Sequence, residues 1–232
     1  MRKLLIILLY CFPFSVKLSA QHGHTEITPV YNGFRDVITY DERNNKVSDI
    51  EQQFTGKVWR NIGINGATYD GHNNVLSSVS QYDWQCFFTY DTRNNLTCWI
   101  RQYKYDSAYT NYEQYFYTYD TGKTKTSEIL QTWNGKEWVN KSKKMFSHDS
   151  NLEQVWSGKE WVNRSHTLYT YNIKGNKTCV LLQYWMGSVW VNRERWLCTY
   201  DANNKQTSYI DQIWRDNNWG PWQAMKDGVP NR

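Results

Sequence analysis

A tyrosine-aspartate pair recurs along this chain at nearly constant spacing, and this repeat restricts the fold more than any other feature. Thr or Ser precedes every copy, and the seven copies, two of which are close variants, are Tyr40-Asp41, Tyr69-Asp70, Tyr90-Asp91, Tyr119-Asp120, His148-Asp149, Tyr171-Asn172 and Tyr200-Asp201. The second residues of successive pairs are separated by 29, 21, 29, 29, 23 and 29 residues. A period of this length indicates a repeat architecture in which each unit is one supersecondary element.

Each unit contains two turn signals. An Asn-Asn or Gly-containing step follows most of the pairs, and these residue types tolerate the positive φ that tight turns require. The Asp side chains are predicted to accept hydrogen bonds from nearby backbone N–H groups. The second signal is an aromatic residue, a Gly turn, another aromatic residue and then Asn, as in residues 133–140, 156–163 and 185–192. The pattern predicts an all-β fold of antiparallel, up-and-down hairpin repeats, about seven units with about fourteen strands, in a rolled or curled sheet.

Placing Trp185 opposite Asn192 and extending that register predicts a single buried face. It would carry an aliphatic residue nine positions after the second residue of the pair in six units, one Gln in each of the seven units, and the residue three positions before the second residue of every pair. The Gln set is Gln52, Gln81, Gln102, Gln131, Gln154, Gln183 and Gln212, and the last set is Ile38, Ala67, Phe88, Tyr117, Phe146, Tyr169 and Cys198. The amides would either converge on a ligand or form a ladder that satisfies its own donors and acceptors.

The N-terminal segment has the pattern of an export signal. Arg2 and Lys3 precede an apolar stretch too short to span a bilayer, and Leu18-Ser19-Ala20 is a suitable cleavage site. We therefore divide the chain into a signal peptide (1–20), an N-terminal lead (21–37), a hairpin-repeat domain (38–222) and a C-terminal tail (223–232). The protein is predicted to be exported to the periplasm, the cell surface or the medium. Cys11 follows the bulky Tyr10 inside the apolar stretch, which disfavours lipidation.

Charge and hydropathy exclude several classes of protein. The net charge is +5, and removal of residues 1–20 would leave 24 basic against 22 acidic residues, a charge of +2. Nucleic acid is therefore not an expected partner. The mean hydropathy of −0.80 and the polar alternate positions in residues 124–133 predict that the protein does not span a membrane.

Four cysteines lie beyond the predicted signal peptide, an even number in a chain expected to be exported. The register above places Cys86 opposite Cys98 and Cys179 opposite Cys198. It predicts two cross-strand disulfides, and the alternative is four half-buried thiols that pack as small apolar groups.

No catalytic constellation is present in the sequence. None of the five His residues is spaced with Asp, Glu or Cys as a metal site or a catalytic triad would require. Gly-rich phosphate-binding loops and nucleophile elbows are also absent from the sequence. We predict no catalytic residues, no metal, no cofactor and no enzyme activity.

Two sets of residues are candidates for ligand binding. Trp138, Trp161 and Trp190 occupy one repeat position beside the glycine turns, where they would either cover the sheet ends or stack on a ligand. The other set is a cationic column of Lys141, Arg164 and Arg193, beside a second column of Lys143, His166 and Arg195. These columns would either bind an anionic glycan or lipid head group, or form a solvated face that prevents edge-to-edge aggregation.

The repeat also supports a resemblance to known proteins. The Thr-Tyr-Asp-x-x-Asn-Asn units resemble the tyrosine-aspartate repeats of the RHS type. The longer units, with Gln-x-Trp-x-Gly-x-x-Trp-Val-Asn, look like uncharacterised secreted repeat proteins of Bacteroidetes. The resemblance covers residues 38–222 and implies an all-β hairpin-repeat fold in a cell-envelope or extracellular protein.

These observations favour a secreted, non-catalytic binding or adhesion module whose ligand is a glycan or a cell-envelope polymer. Turn aromatics suit the faces of sugar rings, and Asn and Gln side chains suit hydroxyl groups. The competing hypothesis is a structural or scaffold repeat protein that binds other proteins and uses all of its aromatic residues for packing.

Overall fold

A computed structural model describes residues 23–221 as a β-sheet of sixteen strands. The predicted signal peptide (1–20) and the C-terminal tail (223–232) lie outside the described residues. Within the described range, no helix is long and apolar enough to cross a membrane. The strands are β1 (Thr25–Ile27), β2 (Phe34–Tyr40), β3 (Lys46–Phe54), β4 (Trp59–Tyr69), β5 (Val75–Ser80), β6 (Trp84–Tyr90), β7 (Leu96–Tyr105), β8 (Ala108–Tyr119), β9 (Lys125–Trp133), β10 (Trp138–Phe146), β11 (Ser150–Trp156), β12 (Trp161–Tyr171), β13 (Lys177–Trp185), β14 (Trp190–Tyr200), β15 (Gln206–Arg215) and β16 (Asn218–Pro221).

The strands form one open, curled antiparallel sheet in strict sequence order. The seven predicted tyrosine-aspartate turns join β2 to β3, β4 to β5 and so on up to β14 and β15, so these turns account for the strands β2 to β15. This confirms the predicted hairpin-repeat architecture. Two short strands, β1 and β16, flank the repeats, and β1 lies within the segment assigned to the N-terminal lead.

The sheet is a single layer and has no hydrophobic core within residues 23–221. No hydrophobic side chain in this range is buried, and the side chains with the least exposure are polar: Ser48, Asn95, Glu113 and Gln114, at 5 to 9%. Cross-strand contacts between side chains therefore take the place of a core. The prediction of one buried face is wrong, because no second layer covers either face of the described sheet.

Most of the tyrosine-aspartate turns are closed by the carboxylate of their Asp, whereas in the turn that contains Asp149 the Ser147 hydroxyl accepts from the Ser150 N–H. In the turn after β6, Asp91 Oδ1 accepts hydrogen bonds from the backbone N–H groups of Arg93 (2.8 Å) and Asn95 (2.9 Å), and Asn95 Nδ2 donates to Asp91 Oδ2 at 2.9 Å. Asn94 has a positive φ of 64°. The same contacts recur at Asp41 and Asp70. The predicted role of these Asp residues is confirmed.

Neighbouring turns are also connected to one another. Asn45 Nδ2 donates to Asn73 Oδ1 at 3.0 Å, and Asn176 Nδ2 donates to Asn204 Oδ1 at 3.0 Å. The tyrosine of the pair reaches back along the sheet, as where the Tyr69 hydroxyl donates to the Lys46 carbonyl at 3.1 Å. The turns therefore form a polar edge that ties most neighbouring units together.

Acid should weaken this turn network. The pKa of Asp41 and of Asp70 is lowered mainly by the side-chain hydrogen bonds of Asn45 and Asn74, and the pKa of Asp91 mainly by the backbone N–H of Asn95. A folded-state pKa below the unfolded value adds stability at neutral pH, and this stability is lost as pH falls through the folded value. We expect the urea midpoint to be flat from about pH 7 to 5 and to fall below about pH 4.

The matched variant replaces Asp41, Asp70 and Asp91 by Asn. Asn172 already occupies this position in one unit, where its Oδ1 accepts from the N–H groups of Lys174 and Asn176, both at 3.0 Å. The variant should therefore fold, and its urea midpoint should change less between pH 5 and 3 than that of the wild type. An equal acid dependence in both proteins would contradict the assignment.

An extra residue in each long hairpin sets which side chains share a face. In the β13–β14 hairpin Trp185 lies opposite Trp190 and Gln183 opposite Asn192, but Leu182 lies opposite Glu194, so Arg193 is a β-bulge residue. Equivalent bulges occur in β4, β8, β10 and β12. Because side chains alternate between faces, one extra residue moves all later residues to the other face.

We name the two faces by their side chains. The amide face carries the Gln and Asn residues that pair across the hairpins, such as Gln131 and Asn140. The acidic face carries the residues that alternate with them, such as Glu128. Phe88 and Tyr117 lie opposite Trp99 and Glu128 on the acidic face, as do the other residues three positions before the second residue of each pair. The prediction that this set shares a face with the Gln residues is therefore wrong.

The same shifts exclude both predicted disulfides in this pairing. Cys179 lies opposite Leu197, and Cys198 lies opposite Tyr209 on the other face of the sheet. Cys86 lies opposite Arg101, and Cys98 lies opposite Thr89, again on opposite faces. The predictions of Cys86–Cys98 and Cys179–Cys198 disulfides are wrong for a physical reason, because two side chains on opposite faces cannot meet without rearranging the strands.

We expect all four cysteines of the described sheet to be free thiols. Alkylation of the urea-unfolded protein without reductant, followed by mass measurement, should add one label at each of Cys86, Cys98, Cys179 and Cys198. Burial raises the pKa of the Cys98 thiol, so Cys98 should react slowly in the folded protein and normally once unfolded. A pair of cysteines that stays unlabelled until reductant is added would contradict the observed register.

Candidate binding face

Aromatic pairs stand at the glycine-turn end of the amide face. Each pair consists of two residues that lie directly opposite each other, at or next to the ends of consecutive strands, as with Trp133 and Trp138. The intervening turn is closed by a hydrogen bond from the Asn134 N–H to the Glu137 carbonyl at 3.2 Å, and Gly135 has a φ of 95°. Most side chains would be strained at that angle, which explains the glycine in the motif.

The distance between the ring centroids is nearly the same in every pair. The centroids are 5.3 Å apart in Phe54–Trp59, Trp133–Trp138 and Trp156–Trp161, 5.1 Å apart in Trp185–Trp190 and 5.0 Å apart in Trp214–Trp219. The four Trp–Trp pairs are edge-to-face, with interplanar angles of 64 to 70°. Such contacts contribute about 0.5 to 1.5 kcal/mol beyond the area that they bury. The candidates Trp138, Trp161 and Trp190 are half-buried, so they both pack in the hairpin and keep part of each ring accessible.

The repeated Gln residues form a directional network of side-chain amides. Gln Nε2 donates to Asn Oδ1 across the hairpin, as from Gln131 to Asn140 at 2.8 Å and from Gln183 to Asn192 at 2.9 Å. The Gln Oε1 atom in turn accepts from the preceding hairpin, as where Gln114 donates to Gln131 at 2.5 Å. The amide-ladder prediction is confirmed for these residues. Gln81 is an exception, because it lies between β5 and β6 rather than in a strand.

The position that donates to this Gln is occupied by a cation in some units. Arg35 Nε donates to Gln52 Oε1 at 2.8 Å, and Arg195 Nε donates to Gln212 Oε1 at 2.7 Å. Each guanidinium also covers the second aromatic residue of its unit, with its Cζ atom 4.2 Å from the centroid of Trp59 and 4.3 Å from that of Trp219, respectively.

His166 and Lys143 occupy the equivalent position in two further units. The His166 ring lies 5.3 Å from that of Trp190, and Lys143 lies opposite Gln154. The second predicted column of Lys143, His166 and Arg195 therefore lies on the amide face, beside the aromatic pairs.

The other predicted column lies elsewhere. Lys141, Arg164 and Arg193 are the bulge residues of their strands, and all three are exposed. Arg164 Nη1 lies 3.5 Å from Glu153 Oε1, and Arg193 Nε lies 3.8 Å from Glu194 Oε1, both on the acidic face. The expectation that the two columns lie side by side is wrong, because the bulge sends Arg164 and Arg193 towards the opposite face.

Carboxylates are segregated on the acidic face. Every Asp and Glu in the paired strands has its side chain there: Glu26, Asp36, Asp49, Glu51, Glu113, Glu128, Glu153, Glu194 and Asp211. Glu128 makes ion pairs with Lys125 (2.8 Å) and Lys144 (4.0 Å). These add to the ion pairs of Arg164 with Glu153 and of Arg193 with Glu194. Burial, and then the charge of Glu128, raises the pKa of Tyr117 to about 12, so this hydroxyl stays protonated at neutral pH.

An arginine–aromatic cluster occupies the acidic face at β6 to β8. The Arg101 guanidinium forms an ion pair with Glu113 and lies 4.7 Å from the Trp84 ring and 5.3 Å from the Tyr112 ring. Trp99 continues the cluster by stacking on Tyr115 with centroids 5.0 Å apart. The cluster was not predicted from the sequence, because the predicted register did not include the extra residue in β8.

Arg35 was also missed among the residues of the amide face. The sequence did contain a signal for Arg35, because Arg35 precedes Trp59 by 24 residues, and Arg195 precedes Trp219 by the same 24 residues.

No group of three or more His, Cys, Asp or Glu side chains in the described part of the chain could hold a metal ion.

No family model and no curated protein matches this sequence. Several solved structures are similar to it. A protein of unknown function from Bacteroides fragilis has a TM-score of 0.42 and 16% identity, covering 49% of this chain and 91% of that chain. A porin-like protein from Bacteroides uniformis has a TM-score of 0.40 and 11% identity, covering 85% and 91%. A DUF3836 family protein from Bacteroides vulgatus has a TM-score of 0.29 and 18% identity, covering 34% and 89%. Assignment to the tyrosine-aspartate repeat family stays a prediction.

Proposed function

We propose that this protein is an exported, non-catalytic binding module whose amide face holds an extended glycan or cell-envelope polymer. The observation that carries the proposal is the repetition of one aromatic pair and one Gln–Asn pair in successive hairpins, on a face that no other element of residues 23–221 covers. A repeated surface suits a ligand that is itself a chain of repeated units, since weak contacts then add along its length.

The chemistry of the amide face suits sugars. Partly accessible indole rings can stack on the apolar faces of sugar rings, and amides can both donate to and accept from hydroxyl groups. Successive hairpins are two strands apart, or about 10 Å across the sheet. Trp138, Trp161 and Trp190 would be the stacking residues in three neighbouring units.

A binding comparison across the two faces tests the proposal. Wild type, the Trp138→Ala/Trp161→Ala/Trp190→Ala variant and the control Trp196→Ala would be compared on a panel of immobilised glycans and cell-envelope polymers. Trp196 is half-buried on the acidic face, opposite Val180 and Asp211. We expect the triple variant to lose at least about tenfold in affinity, since stacking contacts are worth about 1 kcal/mol each, and the control to bind like the wild type.

Melting curves separate this function from a purely structural one. Binding that is lost while the melting temperature changes as little as in the control supports the proposal. Binding that persists in the triple variant contradicts it. If the triple Ala variant unfolds, the triple Trp→Phe variant at the same positions, which should fold, is used to test binding instead. Full binding by that variant, with no glycan preference, would favour the alternative of a scaffold that binds proteins.

A further inference from the structure

We infer that the polymer held by the amide face is an acidic polysaccharide, with negative charges along its length, rather than a neutral one. This inference rests on the proposed function, since it concerns the ligand of the same face. Its basis is the separation of charge between the two faces. The amide face carries cations in several units and, at the paired strand positions of the described sheet, no carboxylate.

Three cations of the amide face have no counter-ion in the described sheet. Arg35, Lys143 and Arg195 make no ion pair with any residue in the range 23–221. All three are half-buried. A partly desolvated cation without a partner gains more from an approaching anion than a fully hydrated one does.

The acidic face differs, because its cations without a carboxylate partner in the described sheet, such as Arg60, are exposed rather than half-buried. Arg101, Lys125, Lys144, Arg164 and Arg193 all pair with carboxylates of that face. One further cation of the amide face, Lys104, is neutralised by Asp83 in a turn, with Nζ and Oδ1 3.8 Å apart. An anionic ligand is therefore attracted to one face and repelled by the unpaired carboxylates of the other.

The positions of the free cations suit a polymer. Lys143 and Arg195 lie on β10 and β14, with His166 at the equivalent position on β12 between them, so the basic side chains recur on alternate strands about 10 Å apart across the sheet. Two of these positions place the basic side chain directly against an indole ring, Arg195 on Trp219 and His166 beside Trp190. A sugar ring that stacks on the accessible part of such an indole would bring its acidic substituent to the adjacent cation.

The guanidinium groups of Arg35 and Arg195 are held in one orientation but keep hydrogen-bond donors for a ligand. Arg35 and Arg195 each donate through Nε to a Gln and stack on a Trp, which holds the planar group in one orientation. The two Nη groups of each remain for a carboxylate or sulfate, which planar guanidinium binds in a bidentate manner.

The chain offers closely matched variants for the test. Gln85 and Gln114 already occupy the Arg35 position in two other units and donate to the same kind of Gln. Arg35→Gln/Lys143→Gln/Arg195→Gln should therefore keep the amide network and remove three charges from the amide face. The control Lys141→Gln/Arg164→Gln/Arg193→Gln removes three charges from the bulge positions.

The probes are polygalacturonate and its fully methyl-esterified form, which has the same sugar backbone without the charge. Affinity electrophoresis or calorimetry at low salt should show that the wild type prefers polygalacturonate at least about tenfold, and that raised salt weakens this binding. The amide-face variant should lose at least about tenfold towards polygalacturonate, while the bulge-position control stays within about twofold.

The outcomes separate this inference from the proposed function. Equal binding of both polymers, with loss in the Trp variant, would overturn the inference and leave the proposed function standing. Failure to bind any polysaccharide would overturn both. Equal losses in the two charge variants would also overturn the inference, since net charge rather than the amide face would then control binding. Binding to phosphatidylglycerol vesicles with no binding of polygalacturonate would assign the face to anionic lipid instead.

Discussion

Replacing Arg101 by Ala should lower the free energy of unfolding by about 3 kcal/mol, the largest effect that we expect from a single substitution. The side chain of Glu113 is 11% exposed, and it would lose its only ion-pair partner in the described sheet. Trp84 and Tyr112 would lose the guanidinium that lies 4.7 and 5.3 Å from their rings. Urea unfolding followed by circular dichroism would measure the change.

The control for this prediction is Arg60→Ala. Arg60 lies on the acidic face opposite Gln53, is exposed, and forms no ion pair with any described residue. Its removal should change stability by less than about 0.5 kcal/mol. The double variant Arg101→Leu/Glu113→Leu should be more stable than Arg101→Ala, because no buried charge is then left without a partner. A change at Arg101 as small as that at Arg60 would show that the cluster does not stabilise the sheet.

Replacing Gln131 by Ala should cost about 2 to 3 kcal/mol, because two hydrogen bonds of the amide network end on this side chain. Gln131 accepts from Gln114 at 2.5 Å and donates to Asn140 at 2.8 Å. Gln114 is only 6% exposed, so water cannot easily replace its lost acceptor. Urea midpoints and slopes of the wild type and the variant would measure the difference.

Two comparisons make this prediction specific to the network. Gln53→Ala removes an exposed Gln on the acidic face, where no side-chain hydrogen bond to a described residue is lost, and should be nearly neutral. Gln114→Leu/Gln131→Leu removes a donor and its acceptor together and should cost less than the sum of the two single Leu variants. Additive costs would mean that the ladder is not a coupled network.

Both predictions follow from the absence of a core within residues 23–221. In a single-layer sheet each strand contacts mainly its two neighbours, so stability is close to a sum of local terms between adjacent hairpins. The polar contacts between neighbouring hairpins therefore carry an unusually large part of the stability. We expect Arg101 and Gln131 to matter for this reason, although neither would be chosen as a core residue.

The sequence by itself determined the strands, their order and their turns. The tyrosine-aspartate pairs and the Trp–Gly–Trp motifs are local signals, because Asp carboxylates, Asn at positive φ and Gly each specify a turn within a few residues. The amide ladder was predictable for the same reason, since a Gln at one position of every hairpin, as at Gln131 and Gln183, has only a neighbouring amide or a ligand as a partner.

Only the tertiary structure decided which side chains share a face. One extra residue per hairpin, such as Arg193, reverses the alternation for the rest of the strand, and nothing in the composition of a bulge distinguishes it from an ordinary strand residue. That single step separated Cys179 from Cys198 and carried Arg164 away from His166. It also gathered the carboxylates on one face and left Arg35 and Arg195 without counter-ions on the other. The physical reason is that side chains alternate between the two faces with a period of two residues, so any odd shift in register changes the face.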